Sequence, residues 1–284
     1  MPNEKTKIRD SRKHVQQESV QLRCRDVGDW LNEIAPPQLA EKWDNVGWMA
    51  GEPDLPVTGI LVCLDVGEHT LKTAVDNGLN LIISHHPPFF IPLYTVTGDT
   101  HQGRIAGISW KNNLQVFSAH TNYDQAKNGL TDQFADILEL KNVIPYPVAG
   151  SIPSHARLGE CKKPIAGRLF IDYVLEKLTS DEVRTIGTVP AMVRRVVIQN
   201  GAYDRELLIH LLKDQPDVFI TGDVKYHDAR DLEANHIFTI DAGHFSTEIF
   251  FAKNLTKKII DRFPEIPIKT ERATEVYHTY CSRI

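Results

Sequence analysis

Short runs of unbroken hydrocarbon alternate with amphipathic stretches along most of this chain. Gly59-Ile60-Leu61-Val62-Cys63-Leu64 and the run from Leu79 to Ser84 are apolar and rich in branched side chains, the pattern of strands buried on both faces. Between them Glu68 to Asn77 has helical spacing and is closed by Gly78. Arg104 to Asn112 repeats the helical pattern, Leu114 to Ala119 the strand pattern, and Gly129 to Leu140 a helix again. Upstream, Val27 to Ile34 predicts a short helix stopped by Pro36-Pro37, and Trp43 to Gly51 a glycine-bounded loop with a short strand.

The alternation restarts after a stretch rich in Pro, Gly and Ser. Asp172 to Leu178 and Ser180 to Thr185 read as helices, Arg195 to Gln199 as a strand, and Asp204 to Lys213 as a helix. Val218 to Thr221 and His236 to Asp241 are two more strands around a helix from Asp228 to Ala234, and Thr247 to Phe263 is a last helix before a tail. These units predict an α/β protein of two α/β lobes, with largely parallel or mixed sheets and flanking helices. The expected organisation is a frayed or disordered extension over 1–24, a first lobe over 25–145, a linker over 146–165 and a second lobe over 166–284.

Composition narrows the class. The 284 residues are 42% hydrophobic and 24% charged, the balance of a globular protein with a real core. A net charge of −5 and a pI of about 6.2 argue against a nucleic-acid or membrane surface. No apolar run approaches the roughly 18 residues that span a bilayer, and the polar N-terminal stretch has no apolar core of a signal peptide. Cys24, Cys63, Cys161 and Cys281 are scattered without a C-x-x-C pair, which argues against a disulfide framework and a thiolate metal site and points to a reducing cytoplasm. A metal here would be held by histidine and carboxylate.

Parallel sheets place their chemistry at the carboxyl ends of strands. SHHPPFF, residues 84–90, puts His85 and His86 at such an end. Neighbours in extended backbone point to opposite sides, so the pair cannot clasp one ion but can straddle two; a polar turn is the plain alternative. His120-Thr121-Asn122-Tyr123-Asp124 offers a second histidine and carboxylate, or an Asx-turn. Asp241-Ala242-Gly243-His244-Phe245-Ser246-Thr247-Glu248 places His244 and Glu248 four apart, as ligands, or else Ser246 or Thr247 caps a helix with Glu248 in its first turn. Together these strand ends supply nitrogen and oxygen donors suited to zinc, iron or manganese, and two ions can share carboxylates. His227, after another strand end, reads as a site-wall residue or proton shuttle. His14, His69, His210 and His278 read as structural or solvated, and His101 stays undecided.

WDNVG (43–47), LIISHHPPFF (81–90), SAHTNYD (118–124), FITGDVKYHDA (219–229) and IDAGHFSTE (240–248) resemble, in order, the motifs of the Nif-three family of dinuclear metal proteins, also called the GTP cyclohydrolase I type two family. The resemblance covers about residues 25–280. It implies two α/β lobes around a dinuclear site of two divalent transition-metal ions per chain, held by His85, His86, Asp124, His244 and Glu248. Glu248 would bridge, and His85 and His86 would go to different ions. It also implies a toroidal homohexamer, and the short segment 141–165 has no room for the domain that some members insert between the lobes. The chain departs from the family pattern in two loops. The glycine-rich G-x-G-R-x-G is replaced around Leu158 to Arg168, and the Gly-Ser-Gly turn after the next strand is replaced by Asn200 to Asp204.

Two functions are compatible with these expectations. In a metal-dependent hydrolase, a water between two cations would be the nucleophile and His120 or His227 would move protons; a small-molecule nucleotide such as GTP is the candidate substrate. In the alternative, a metal-binding oligomer acts through a protein partner or in metal handling.

Overall fold

The structure is a computed structural model and describes residues 21–147 and 155–277. The extension expected over 1–24 falls largely outside the described residues, as do His14, His278 and Cys281; its last residue, Cys24, is buried and opens the first helix.

The first half runs α1 (Cys24–Ile34), β1 (Gly47–Ala50), β2 (Ile60–Cys63), α2 (Glu68–Asp76), β3 (Leu81–Ser84), α3 (His101–Lys111), β4 (Gln115–Ser118), α4 (Thr121–Gln125) and α5 (Leu130–Ile137). The second runs β5 (Lys141–Tyr146), β6 (Ala156–Ala166), α6 (Gly167–Leu178), β7 (Arg184–Ile186), β8 (Met192–Ala202), α7 (Leu208–Asp214), β9 (Val218–Gly222), α8 (Tyr226–Ala234), β10 (Thr239–Asp241), α9 (His244–Glu248), α10 (Phe251–Arg262) and β11 (Ile268–Thr270).

The first sheet has the order β1-β4-β3-β2-β11 and is parallel except for β1. Its hydrocarbon strands are sandwiched. Ile60, Val62, Leu81, Ile83 and Phe117 pack with α1 and α10, while Leu61, Ile82 and Val116 on the opposite pleat pack with α2 and α3. Covering both faces is what makes these strands uniformly apolar. The second sheet, β5-β6-β8-β9-β10-β7, is mixed, with β8, β9 and β10 parallel at its centre.

Four expectations need correction. Much of the anticipated linker 146–165 is strand: β6 pairs antiparallel with β8 and carries β5 on its outer edge. The prolines misled because Pro145, just ahead of this range, lies on that edge strand and Pro164 falls where the β6–β8 register slips, two places where a missing N–H is tolerated. Ser180 to Thr185 is not helical. Thr179 takes a left-handed conformation that ends α6, and β7 then pairs antiparallel with β10. The last helix is two, α9 and α10, and starts at His244 rather than Thr247. Finally, the C-terminal segment does not stay with the second lobe: Phe251, Leu255 and Ile259 of α10 lie in the first core, and Ile268 of β11 pairs with Ile60 of β2.

Candidate metal centre

The carboxyl ends of β3, β4, β8 and β10 converge, and the polar residues that follow them meet. The His85 and His86 amides donate to the carbonyls of Cys63 and Leu64 on the neighbouring strand end, so both imidazoles are set by sheet geometry. Their ring centroids are 4.9 Å apart. His85 is completely buried and His86 lies nearer the surface.

The Nδ1–H of His85 donates to the carbonyl of Ala119 at 2.9 Å. A carbonyl only accepts, so in the neutral ring Nε2 is a bare lone pair. Burial holds the ring neutral, pushing it down to about 4. That lone pair lies 3.5 Å from Glu248 Oε1 and 3.7 Å from Asp124 Oδ1, and it is solvent-inaccessible with no hydrogen-bond partner. Three electron-rich atoms facing one another in a dry interior are unfavourable unless a proton or a metal cation joins them.

The second grouping lies on the other side of Glu248. Its Oε2 is 3.0 Å from His86 Nε2 and 3.0 Å from His244 Nε2, and the two nitrogens are 3.4 Å apart. The far nitrogens are fixed by carboxylates: His86 Nδ1 on Asp65 Oδ1 at 2.7 Å, His244 Nδ1 on Asp223 Oδ2 at 2.8 Å. A histidine whose second nitrogen donates to a carboxylate is oriented and made more basic, the usual support of a metal ligand. Two overlapping donor sets follow, His85-Asp124-Glu248 and His86-His244-Glu248, and a third, His85-His86-His120, joins His120 to the same cluster. The residues present fit a divalent-metal centre, and all of them are hard or borderline nitrogen and oxygen donors.

Charge is concentrated here. Burial and the nearby Glu248 charge push the Asp124 carboxyl well above the usual carboxylate range. Burial opposes ionisation of Glu248 too, but His85, His244 and His86 outweigh it and hold that carboxyl well below its usual range. Burial likewise opposes a proton on His86, yet hydrogen bonds to Asp65 and Glu248 raise it to about 10; His244 is raised to about 9 against the same opposition, by Glu248 and Asp223. Below those values the metal-free imidazoles hold protons that a metal must displace. Loading with zinc or manganese near neutral pH is therefore expected to release protons and to tighten as pH rises toward 9. Calorimetric titration in buffers of different ionisation enthalpy reads the proton count, and a buffer-independent heat would contradict it.

Some readings of the motifs hold together. Asn122 Oδ1 does accept from the His120 amide, a turn-forming contact, while Asp124 turns inward and accepts from Asn200 Nδ2 at 2.9 Å. Ser246 and Thr247 do not cap a helix at their own positions: α9 begins after Gly243, and Thr247 Oγ1 donates back to the His244 carbonyl and accepts from Gly201 N–H. His227 is in none of the donor sets. It sits exposed on the first turn of α8 with its ring against Tyr226.

Several contributors escaped the sequence reading. Asp65 and Asp223 follow β2 and β9, so the strand-end rule that found the histidines also covers them. Asp44, of WDNVG, accepts from His120 Nδ1–H at 2.8 Å and from both the amide and hydroxyl of Thr121. Asn200 ties Asp124 to Glu248, donating to each, and Thr131 holds Asn200 in turn. Gly201 has φ +66°, and a Cβ there would lie 2.5 Å from Glu248 Oε1. The Asn200–Asp204 loop thus supports the candidate ligands themselves. His155 is held neutral by burial, at about 4, and its carbonyl accepts from Thr131; it had drawn no attention because it follows a Pro- and Ser-rich stretch.

The sequence profile of Duf34/NIF3 (NGG1p interacting factor 3) matches residues 22–276. The chain belongs to this family. Among its relatives, a Clostridium perfringens protein called GTP cyclohydrolase 1 type 2 homolog is 31% identical over 244 residues, 85% of this chain and 92% of the relative. A Streptomyces coelicolor protein of the same name is 34% identical over 80% of this chain and 81% of its own length. A Helicobacter pylori protein called GTP cyclohydrolase 1 type 2 is 32% identical over 78% and 85% respectively. Among solved structures, a Bacillus cereus protein related to NIF3 superposes with a TM-score of 0.81 at 20% identity, over 92% of this NIF3-family chain and all of the other. Reduced HcgD from Methanocaldococcus jannaschii superposes with a TM-score of 0.75 at 24% identity, over 88% and 97%. The α/β fold is shared across these structures. Among the described residues, no helix is long and apolar enough to cross a membrane.

Proposed function

We propose that this protein is a metal-dependent hydrolase built on two divalent cations per chain, one held by His85, Asp124 and Glu248 and the other by His86, His244 and Glu248. The observation that carries the reading is the bare, buried Nε2 of His85 facing two carboxylate oxygens, a set of acceptors that lacks only a cation. Such ions supply Lewis-acid activation of water and of a polarised substrate atom.

The chain's own residues do the rest. Asp44 accepts a hydrogen bond from His120 Nδ1–H, and although burial opposes its charge, bonds to His120 and Thr121 outweigh burial and hold its carboxyl below the usual range. His120 Nε2 is then the free nitrogen of an oriented imidazole, and its ring lies 5.1 and 5.5 Å from those of His85 and His86. It can accept and return a proton beside the reacting atoms. Asn200 holds Asp124 and Glu248 together without charge, and Asp65 and Asp223 fix the outer imidazoles. The names borne by the relatives make GTP the first substrate to try.

Elemental analysis of the purified protein is expected to find about two transition-metal ions per chain. His85→Ala and His86→Ala should each lower that number, and a double variant that keeps its full metal content would remove the assignment. In a substrate screen with the metal-loaded protein, GTP included, His120→Gln should retain the metals but lose turnover by about 100-fold or more, the usual worth of a positioned acid–base group. A loaded protein that turns over nothing would favour the non-catalytic, metal-handling alternative.

A further inference from the structure

Beside His120 the mouth of the site carries two large exposed rings. Trp43 is 58% and Phe90 46% solvent-exposed, although such side chains normally bury most of their surface. Their centroids are 5.5 Å apart, and each lies 6.2 Å from the His120 ring, which meets both edge-on. The three rings run without a break from open surface to the imidazoles of His85 and His86.

This group is braced from below. The residue after Trp43 is Asp44, whose fully buried carboxylate holds His120 and Thr121. The next, Asn45, donates to the Phe89 carbonyl at 2.6 Å, locking the Trp43 loop to the loop that presents Phe90. Two exposed aromatics held in place by polar contacts, those of Asp44 part-buried and that of Asn45 exposed, are costly unless their faces are used. What they abut is a cluster of polar ligands, so their occupant must be flat and apolar at one end and polar at the other.

We propose that Trp43 and Phe90 form a stacking platform for the planar heteroaromatic ring of the substrate, with the rest of that molecule reaching past His120 toward Glu248. Every flat heterocycle offers a π-face to such a platform, whereas a sugar phosphate or simple phosphoester does not. The proposal rests on the hydrolase reading for what happens at the ligands, but ring binding itself needs no metal.

The test uses intrinsic fluorescence of the full chain, metal-free and metal-loaded, with guanosine, GTP and ribose 5-phosphate as probes. Guanosine and GTP should quench tryptophan emission in both forms and ribose 5-phosphate in neither. Trp43→Phe should remove the quench while retaining stacking, detected by equilibrium dialysis of guanosine. Trp110→Phe, at the other strongly exposed tryptophan, on α3, should leave the quench intact. Trp43→Ala with Phe90→Ala should weaken guanosine binding by about tenfold or more, at unchanged metal content. A quench that survives Trp43→Phe, equal binding of ribose 5-phosphate, or a double variant whose oligomeric mass falls while guanosine binding is unchanged would each overturn the platform. Loss of the platform with metal-dependent hydrolysis intact leaves the hydrolase standing; ring binding without metal uptake does the reverse.

Discussion

Glu248→Gln is expected to abolish binding at both cation positions while leaving the metal-free fold intact. One carboxylate serves both donor sets: Oε1 faces His85, and Oε2 faces His86 and His244. Glutamine keeps the volume of a side chain that is only 2% exposed, so packing is preserved. It removes the negative charge and replaces one of the two oxygens shared by the donor sets with an NH2 group that has no lone pair to offer a cation. Loss of an outer-shell partner alone costs about 10–100-fold in metal affinity, and loss of a shared ligand should cost more. The measurement is thermal unfolding with and without metal. A ligand that binds only the folded state adds about 2.7 kcal/mol at 100 times its dissociation constant, and the variant should gain none of this. A variant that is still stabilised by metal as much as the parent would show that Glu248 does not join the two groups.

Gly201→Ala should have an effect of similar size, though it alters no ligand. With φ +66°, an L side chain at this position costs roughly 1–2 kcal/mol in backbone strain. The added Cβ would also sit 2.5 Å from Glu248 Oε1 and 3.4 Å from His244 Nε2, so the carboxylate must move away from His85. Gly78→Ala is the matched control, with φ +67° and open space around its Cβ position. Both variants should lose comparable stability without metal, and only Gly201→Ala should lose metal as well. Equal metal content in the two would mean that Glu248 has room to shift without consequence.

The cluster was partly readable because histidines and carboxylates follow apolar runs that stop abruptly, although each stretch also had a turn or capping reading. The set His85, His86, Asp124, His244 and Glu248 came from the family resemblance, and these are residues that the structure groups. Adjacency of His85 and His86 suggested that the two would serve different ions; each does belong to a separate set around Glu248, but the two also share a set with His120. His227 stands apart from these donor sets. It too follows a strand, but α8 begins immediately before it and turns it onto the exposed face. The supporting groups were harder to see. Asp65 and Asp223 look like ordinary surface acids until their histidines are placed, and Asn200 gains meaning only when β8 is known to end beside α9. The topology of β11 was invisible for a related reason: Ile268 to Thr270 is too short and too polar to announce a strand, and its pairing with β2 is decided by the docking of α10.

The return of β11 to β2 fixes an order of events when the chain is made. A ribosome releases β2, β3 and β4 early, but the sheet they start lacks its last strand and the α10 side of its core until residue 270 has emerged. His85, His86 and Asp124 wait throughout that interval without His244 and Glu248, which arrive on the short helix just before α10. The docking of α10 therefore completes the ligand set and closes the first core in one movement. A metal held by the sets that contain Glu248 would be captured by the finished polypeptide rather than the nascent one, and would rivet the earliest part of the chain to the latest.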